Sequence, residues 1–118
     1  MEDSVAHESL IRHSAEGKPK TGGSLINTEL YELVTQEKFG TNFSFNLLKI
    51  NPGGSVARQS HPDQHAIYIL EGGCQILLGD SWVNAVKGDY GYIPAEVVHS
   101  FAVPNDGRVT EILILKII

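Results

Sequence analysis

Short β-prone runs, each bounded by glycine, proline or aspartate, constrain the fold of this 118-residue chain most strongly. They follow one another from Leu25 onward, and only residues 32–37, stopped by Gly40, are compatible with a helical turn. The pair Gly79-Asp80 between two apolar runs is a hairpin signal. Short strands separated by such turns are typical of a sandwich or barrel, so we expect an all-β fold. The clearest expected strands are 29–34, 43–50, 67–70, 75–78, 81–86 and 110–118.

The length of the chain fits a single domain with one core. Residues 1–24 are polar and end in a segment rich in glycine and lysine, so we interpret them as an N-terminal arm. Residues 25–118 then form the β domain. The arm is interpreted in two ways: as a flexible terminus, or as an edge strand that lies on the sheet of a second subunit.

Charge and composition exclude several classes of protein. A net charge of −5 argues against a nucleic-acid surface, which needs clustered Lys and Arg. No apolar run is long enough to span a bilayer, and the acidic start of the chain is unlike a secretory signal. The single cysteine, Cys74, excludes an intrachain disulfide and a cysteine-rich zinc site. We therefore expect a cytoplasmic protein without nucleic-acid or membrane partners.

Three of the five histidines, with one amide beside them, form the strongest candidate site. Gln59, His61 and His65 lie within seven residues, and His99 follows in a second β-prone run after a proline. Imidazole is the commonest metal ligand in proteins. Side chains two or four apart share one face of an uninterrupted strand, and two such strands would bring all four groups together. Pro62 is the weakest point of this interpretation, because it is able to interrupt the strand.

The same residues resemble the two sequence motifs of the cupin superfamily. The first motif matches residues 53–73, and the second matches the glycine–proline–histidine pattern of residues 88–99. The resemblance covers about residues 43–117 and implies a double-stranded β-helix, the jelly-roll barrel. In the first motif Gln59 takes the place of a histidine, His61 matches a histidine and His65 replaces the usual glutamate. His99 matches the histidine of the second motif. This variant is similar to small single-domain cupins, some of which are aromatic polyketide cyclases.

The resemblance implies a metal site built from three histidines and one amide oxygen: Gln59, His61, His65 and His99. Imidazole suits one divalent transition metal ion, namely Zn, Fe, Ni, Cu or Co. A site without a carboxylate keeps the full charge of that ion, which makes the ion a stronger Lewis acid. Two alternatives stay open. Gln59 is able to bond to a histidine instead of the metal, and a metal-free cupin would have its histidines and Gln59 bonded to one another.

The leading functional hypothesis is a metal-dependent enzyme that polarises a carbonyl or enolate oxygen of a small molecule, in a cyclase-, isomerase- or lyase-like reaction. The alternatives are a metal-dependent dioxygenase and a non-catalytic cupin that binds or senses a small ligand. The sequence identifies no catalytic acid or base. A homodimer is expected, because the C-terminal residues 112–118 carry apolar side chains on both faces of a strand.

Overall fold

The computed structural model describes residues 10–12 and 17–117. Strands make up most of this part of the chain, as the turn-bounded runs predict. The elements in chain order are β1 (Lys20–Gly22), β2 (Leu25–Val34), α1 (Gln36–Phe39), β3 (Phe43–Gln59), β4 (Gln64–Glu71), β5 (Gly73–Leu78), β6 (Ser81–Val86), β7 (Tyr90–Ile93), β8 (His99–Ala102) and β9 (Thr110–Ile117).

The strands form one antiparallel sheet that curls into a nearly closed barrel. The strand order is β6-β5-β8-β3-β9-β4-β7, and β1 and β2 extend the sheet beside β3. Strand β3 pairs with β2, β8 and β9 and so connects the two sides of the barrel. The all-β jelly-roll expectation is confirmed. No helix in the described residues is long and apolar enough to span a membrane.

The 17-residue strand β3 is longer than the sequence predicts. We expected Pro52, Gly53 and Gly54 to form a turn that ends a strand at Ile50, but the strand continues through them. Gly53 has a φ of 77°. A Cβ on Gly54 would lie 2.7–2.9 Å from three carbonyl oxygens, so only glycine fits there. These residues therefore redirect one strand between its partners instead of ending it.

Two further boundaries differ from the sequence prediction. Strand β2 ends at Val34, and the helical turn begins only at Gln36. Thr35 caps this turn, because its hydroxyl oxygen accepts a hydrogen bond from the Lys38 backbone N–H at 3.2 Å. Gly40, with a φ of 71°, ends the helix as expected. Within the segment interpreted as the arm, Lys20–Gly22 form β1 and pair with β2 of the same chain. Residues 1–9 and 13–16 of the arm lie outside the described residues.

The barrel interior follows strand alternation on the three central strands. Leu48 on β3 faces Ile112 on β9, and Ile112 faces Ile69 on β4. All three side chains are buried, with Ile112 fully so. Two residues further along each strand, the inward positions are Asn46, Ile114 and Ile67. The interior therefore changes from a closely packed apolar end to an end that contains polar side chains.

Candidate metal centre

Three histidines from three parts of the fold meet inside the barrel. His61 lies on the connection between β3 and β4, His65 is the second residue of β4, and His99 is the first residue of β8. One ring nitrogen from each lies within 4.8 Å of the other two. The ring centroids are 4.6–5.3 Å apart and the rings meet edge to face. His65 and His99 are buried, and His61 is partly exposed. This cluster is where the sequence predicts the metal site.

The histidines converge in a different way from the one that strand alternation suggests. We expected Gln59, His61 and His65 to lie on one strand, but β3 ends at Gln59 and β4 begins at Gln64. His61 is therefore a loop residue, and its position depends on contacts outside the strand. The Glu96 backbone N–H donates to the His61 carbonyl oxygen at 2.8 Å. Glu96 has a φ of 66°, a region that non-glycine residues rarely adopt, so the site-forming loop carries backbone strain.

The hydrogen bonds of the rings leave nitrogen atoms free for a metal. His99 Nδ1 lies 2.9 Å from the Val97 carbonyl oxygen, which only accepts, so Nδ1 carries a proton and Nε2 is the nitrogen left for a metal. The Nδ1 atoms of His61 and His65 are buried and have no hydrogen-bond partner in residues 10–12 and 17–117. Buried ring nitrogens of this kind are usually bonded, so these two fit a site that a metal ion completes.

The surroundings favour the neutral forms of His61 and His65. Burial, followed by the neighbouring His61 and His99 rings and by Lys116, lowers the pKa of His65 to about 4. Burial also lowers the pKa of His61, with further contributions from His99 and Lys116 that Asp63 and Glu96 partly oppose. A metal ligand must be the neutral imidazole. Near neutral pH, His61 and His65 are therefore already in the form that binds a metal.

Gln59 lies beside the histidines. It is the residue on β3 that pairs with His99 on β8, and it contributes to the wall of the same cavity. This position is compatible with both interpretations of the sequence, in which the amide oxygen binds the metal or bonds to a ligand histidine. Coordination by Gln59 therefore stays a prediction.

The cluster borders a cavity of about 500 Å³ inside the barrel. Its walls include apolar side chains from both sides of the barrel, and the turn between β1 and β2 covers part of it. A cavity of this volume accommodates a small organic molecule. The apolar residues that border it include Leu48, Val56, Ile67, Ile93, Phe101 and Ile114.

Sequence reasoning missed several polar residues of the cavity, among them Asn46 and Lys116. The signal was present, because both occupy inward positions of strands whose neighbouring inward residues are apolar. Lys116 Nζ lies 3.2 Å from an Asp63 carboxylate oxygen, and that same oxygen lies 3.8 Å from His61 Nδ1. A carboxylate and an ammonium group therefore border the histidine cluster without belonging to it.

The donor set fits a divalent transition metal ion. Three neutral imidazoles suit Zn, Fe, Ni, Cu or Co and disfavour Mg and Ca, which prefer oxygen ligands. The clustered nitrogens and the two unpartnered Nδ1 atoms support the same conclusion. With three protein ligands a position stays open for a small molecule, which is characteristic of catalytic metal sites.

Solved structures share this fold at low sequence identity. A predicted oxalate decarboxylase from Thermotoga maritima is 22% identical with a TM-score of 0.78, over 92% of this chain and 98% of that one. The polyketide cyclase RemF from Streptomyces resistomycificus is 22% identical with a TM-score of 0.73, over 99% of this chain and 80% of that one.

A cupin-2 domain protein from Rhodospirillum rubrum is 18% identical with a TM-score of 0.72, over 83% of this chain; the match spans 64% of that protein's length. No curated protein sequence matches the chain significantly. Residues 46–115 match the sequence family described as the Cupin domain, and this match includes all three clustered histidines. The motif spacing, the jelly-roll topology and the family match agree: this chain belongs to the Cupin domain family.

Proposed function

We propose that this chain is a metal-dependent enzyme that acts on a small organic molecule. His61, His65, His99 and the amide oxygen of Gln59 would hold one divalent transition metal ion. The observation that carries the proposal is the convergence of three histidine nitrogens within 4.8 Å on the wall of a cavity large enough for a substrate.

When bound, such an ion supplies a Lewis acid that polarises a carbonyl oxygen or stabilises an enolate oxygen. The protein contributes the surroundings. The neutral ligands leave the charge of the ion undiminished, and the apolar walls strengthen electrostatic interactions by excluding water. The Asp63 carboxylate, paired with Lys116, lies 3.8 Å from His61 Nδ1, beyond hydrogen-bonding distance, and places a negative charge beside the cluster.

The reaction class that we propose is cyclase-, isomerase- or lyase-like. These reactions need a polarised substrate oxygen and no external oxidant. A metal ion held by three neutral histidines would polarise such an oxygen. The names of two solved structures with this fold, a polyketide cyclase and a predicted oxalate decarboxylase, are compatible with this class. Their identity to this chain is 22%, so the support comes from the chemistry of the site rather than from the names.

Metal analysis of protein purified without chelators tests the proposal. We expect close to one equivalent of Zn, Fe, Ni, Cu or Co per chain, lost in a His61→Ala variant. Iron together with oxygen-dependent turnover would favour a dioxygenase instead. Absence of bound metal, and no gain in melting temperature when each of these metals is added, would contradict the enzyme and leave a metal-free binding cupin.

We also propose that the chain forms a homodimer through the outer face of the part of the sheet formed by β2, β3, β9, β4 and β7. On this face Leu113 of β9 lies between Leu47 of β3 and Tyr68 of β4, and Tyr68 faces Tyr90 of β7. Tyr90 is 83% exposed. Large continuous apolar patches on a protein surface commonly mark contacts between proteins. The patch consists of Tyr31, Phe45, Leu47, Ala66, Tyr68, Tyr90, Tyr92, Leu113 and Leu115.

Light scattering at micromolar concentration should give twice the mass of the chain. Tyr68→Lys should shift the mass toward the monomer, because a charge in the centre of an apolar contact is costly to bury. Trp82→Lys is the matched control, since Trp82 is exposed to the same extent on β6, outside the patch. A monomeric wild-type protein, or a dimer that both variants leave intact, would contradict this interface.

A further inference from the structure

Asn46 is a buried polar side chain whose hydrogen-bonding capacity the protein uses only in part. It is 8% exposed, lies on β3 and contributes to the cavity wall. Its Nδ2 donates to the Ser44 hydroxyl oxygen over a long 3.4 Å, and its Oδ1 has no hydrogen-bond partner within the described part of the chain. Buried side-chain polar atoms nearly always have a hydrogen-bond partner, so the unbonded Oδ1 of Asn46 points to a partner that the protein itself does not supply.

The strand register places Asn46 away from the histidines. Isoleucines lie between them in one row, and in the adjacent row Lys116, which pairs with Asp63, lies between Ser44 and His65. Asn46 faces Ile114 on β9, Ile114 faces Ile67 on β4, and His65 is two residues before Ile67. Two strand spacings separate β3 from β4, which is about 10 Å measured across the sheet. The cavity therefore has polar groups at both ends, and its middle is lined by isoleucines and by Lys116.

The position of Asn46 also restricts the charge of its partner. On β2 its neighbour is Glu32, whose carboxylate pairs with Lys20 at 3.2 Å. A ligand anion would meet the unpartnered amide oxygen, which repels it, beside an ion pair that has no net charge to offset that repulsion. A neutral hydroxyl group fits, because it donates to Oδ1 and also satisfies the amide if its oxygen and nitrogen exchange places.

We propose that Asn46 is a second recognition point, which selects ligands that carry a hydroxyl group at the end remote from the histidines. The ligand class is a neutral-tailed small molecule with an apolar body, an oxygen donor at one end and a hydroxyl at the other. This inference rests on the proposed function, since the metal would hold the first oxygen. A site built to bond a ligand hydroxyl discriminates strongly against an analogue that lacks it.

Matched pairs of aryl hydroxamic acids test the proposal on zinc-loaded protein. The hydroxamate group binds zinc, and the para position carries either a hydroxyl or a methyl group. Benzoyl, phenylacetyl and phenylpropanoyl versions vary the distance between the two ends. Titration calorimetry should show that at least one hydroxyl compound binds about tenfold more tightly than its methyl partner.

Asn46→Leu, which replaces the amide with an apolar group of similar size, should abolish this preference. Asn51→Leu is the matched control, because Asn51 lies on the same strand but does not border the cavity. The control should keep the tenfold preference. Equal binding of both members of every pair by the wild-type protein, or failure of zinc-loaded protein to bind any of them, would overturn the role of Asn46.

A metal-independent measurement separates failure of this inference from failure of the proposed function. If the protein retains none of Zn, Fe, Ni, Cu and Co, the proposed function fails, and the apoprotein is titrated with para-cresol and with para-xylene. The Asn46 side-chain amide signals, assigned by their loss in Asn46→Leu, should shift with para-cresol and stay unchanged with para-xylene. The same response to both compounds, or to neither, would overturn the inference.

The melting temperature of the Asn46→Leu variant is a third test. If Asn46 had only a structural role, the substitution would lower this temperature. Replacing an unsatisfied buried polar group with an apolar one removes its desolvation cost. The melting temperature of ligand-free Asn46→Leu should therefore equal or exceed that of the wild type, as is common where function and stability compete. A clear fall in melting temperature would show that Asn46 has a structural role and would contradict the proposal.

Discussion

The two ends of the barrel interior are built from the same strands and differ in the hydrogen bonding of their buried polar side chains. At the packed end, the Thr110 hydroxyl donates to the Gly73 carbonyl oxygen at 2.6 Å and accepts from the Gly73 N–H at 3.2 Å. At the cavity end, Asn46 Oδ1 and the Nδ1 atoms of His61 and His65 have no partner in the described residues. Both ends bury polar side chains, but in the described residues only the cavity end leaves buried side-chain atoms without a hydrogen bond.

This difference distinguishes a structural polar residue from a functional one. Thr110 links the start of β9 to the start of β5 and is fully buried with its hydrogen bonds made. The histidines and Asn46 border the open cavity, where a bound metal ion or ligand would supply the bonds that the protein does not. Unsatisfied polar groups lower the stability of the fold. Close packing around Ile112, Ile50 and Ile69 compensates for that loss.

The largest expected effect is loss of stability at the packed end. Ile112 is fully buried, so Ile112→Ala leaves a cavity and should lower the free energy of unfolding by about 4 kcal/mol. Ile114→Ala, two residues along the same strand, should cost only about 1 kcal/mol, because Ile114 already borders open volume. Chemical denaturation measures both. Equal losses would mean that the two ends are packed alike.

A second effect should appear only at the cavity end. His61→Ala should weaken zinc binding more than about 100-fold, because even residues that merely orient ligands contribute 10–100-fold to metal affinity. The variant should unfold like the metal-free wild type, since His61 lies on a loop and is partly exposed. Competition with a chromogenic chelator measures the affinity.

Gln59→Ala provides the graded comparison for the histidine variant. An amide oxygen is a weaker ligand than imidazole, so this change should weaken zinc binding by only about tenfold. No change in affinity would remove Gln59 from the site and leave three histidines. Unchanged affinity in His61→Ala would refute the metal centre itself.

The smallest and most gradual effect concerns pH in the metal-free protein. The pKa of His65 is about 4 in the folded state and about 6.5 when unfolded. Between these values the unfolded chain binds more protons, so acid favours unfolding. The contribution to stability is complete above about pH 6.5 and falls away as the pH approaches 4. Denaturation midpoints measured with a chelator across this range should show the decline.

His65→Gln tests which group causes this decline. The groups that face His65 are His61, His99, Lys116 and Asp63, of which His61 also has a lowered pKa. The variant should therefore flatten the pH profile without abolishing its slope. An unchanged profile would show that His65 is not held neutral by its surroundings.

Much of the fold was predictable because strand and turn signals are local. The hairpin at Gly79-Asp80, the strand Ser81–Val86 and the stop at Gly40 follow from residue type alone. The same signals gave a wrong prediction at residues 52–54. A turn was expected there, but strand β3 continues through these residues and changes direction. A local pattern does not distinguish these cases, because the deciding contacts come from distant segments such as Asn27.

The sequence by itself determined the family, the all-β barrel and the three histidines, because motif spacing and alternation are properties of the chain. Only the tertiary structure decided that His61 meets the others from a loop, held by the Glu96 backbone. It also brought Asn46 and Lys116 to the same cavity. The physical reason is register: β9 pairs with both β3 and β4, and this long-range pairing sets which inward residues face one another.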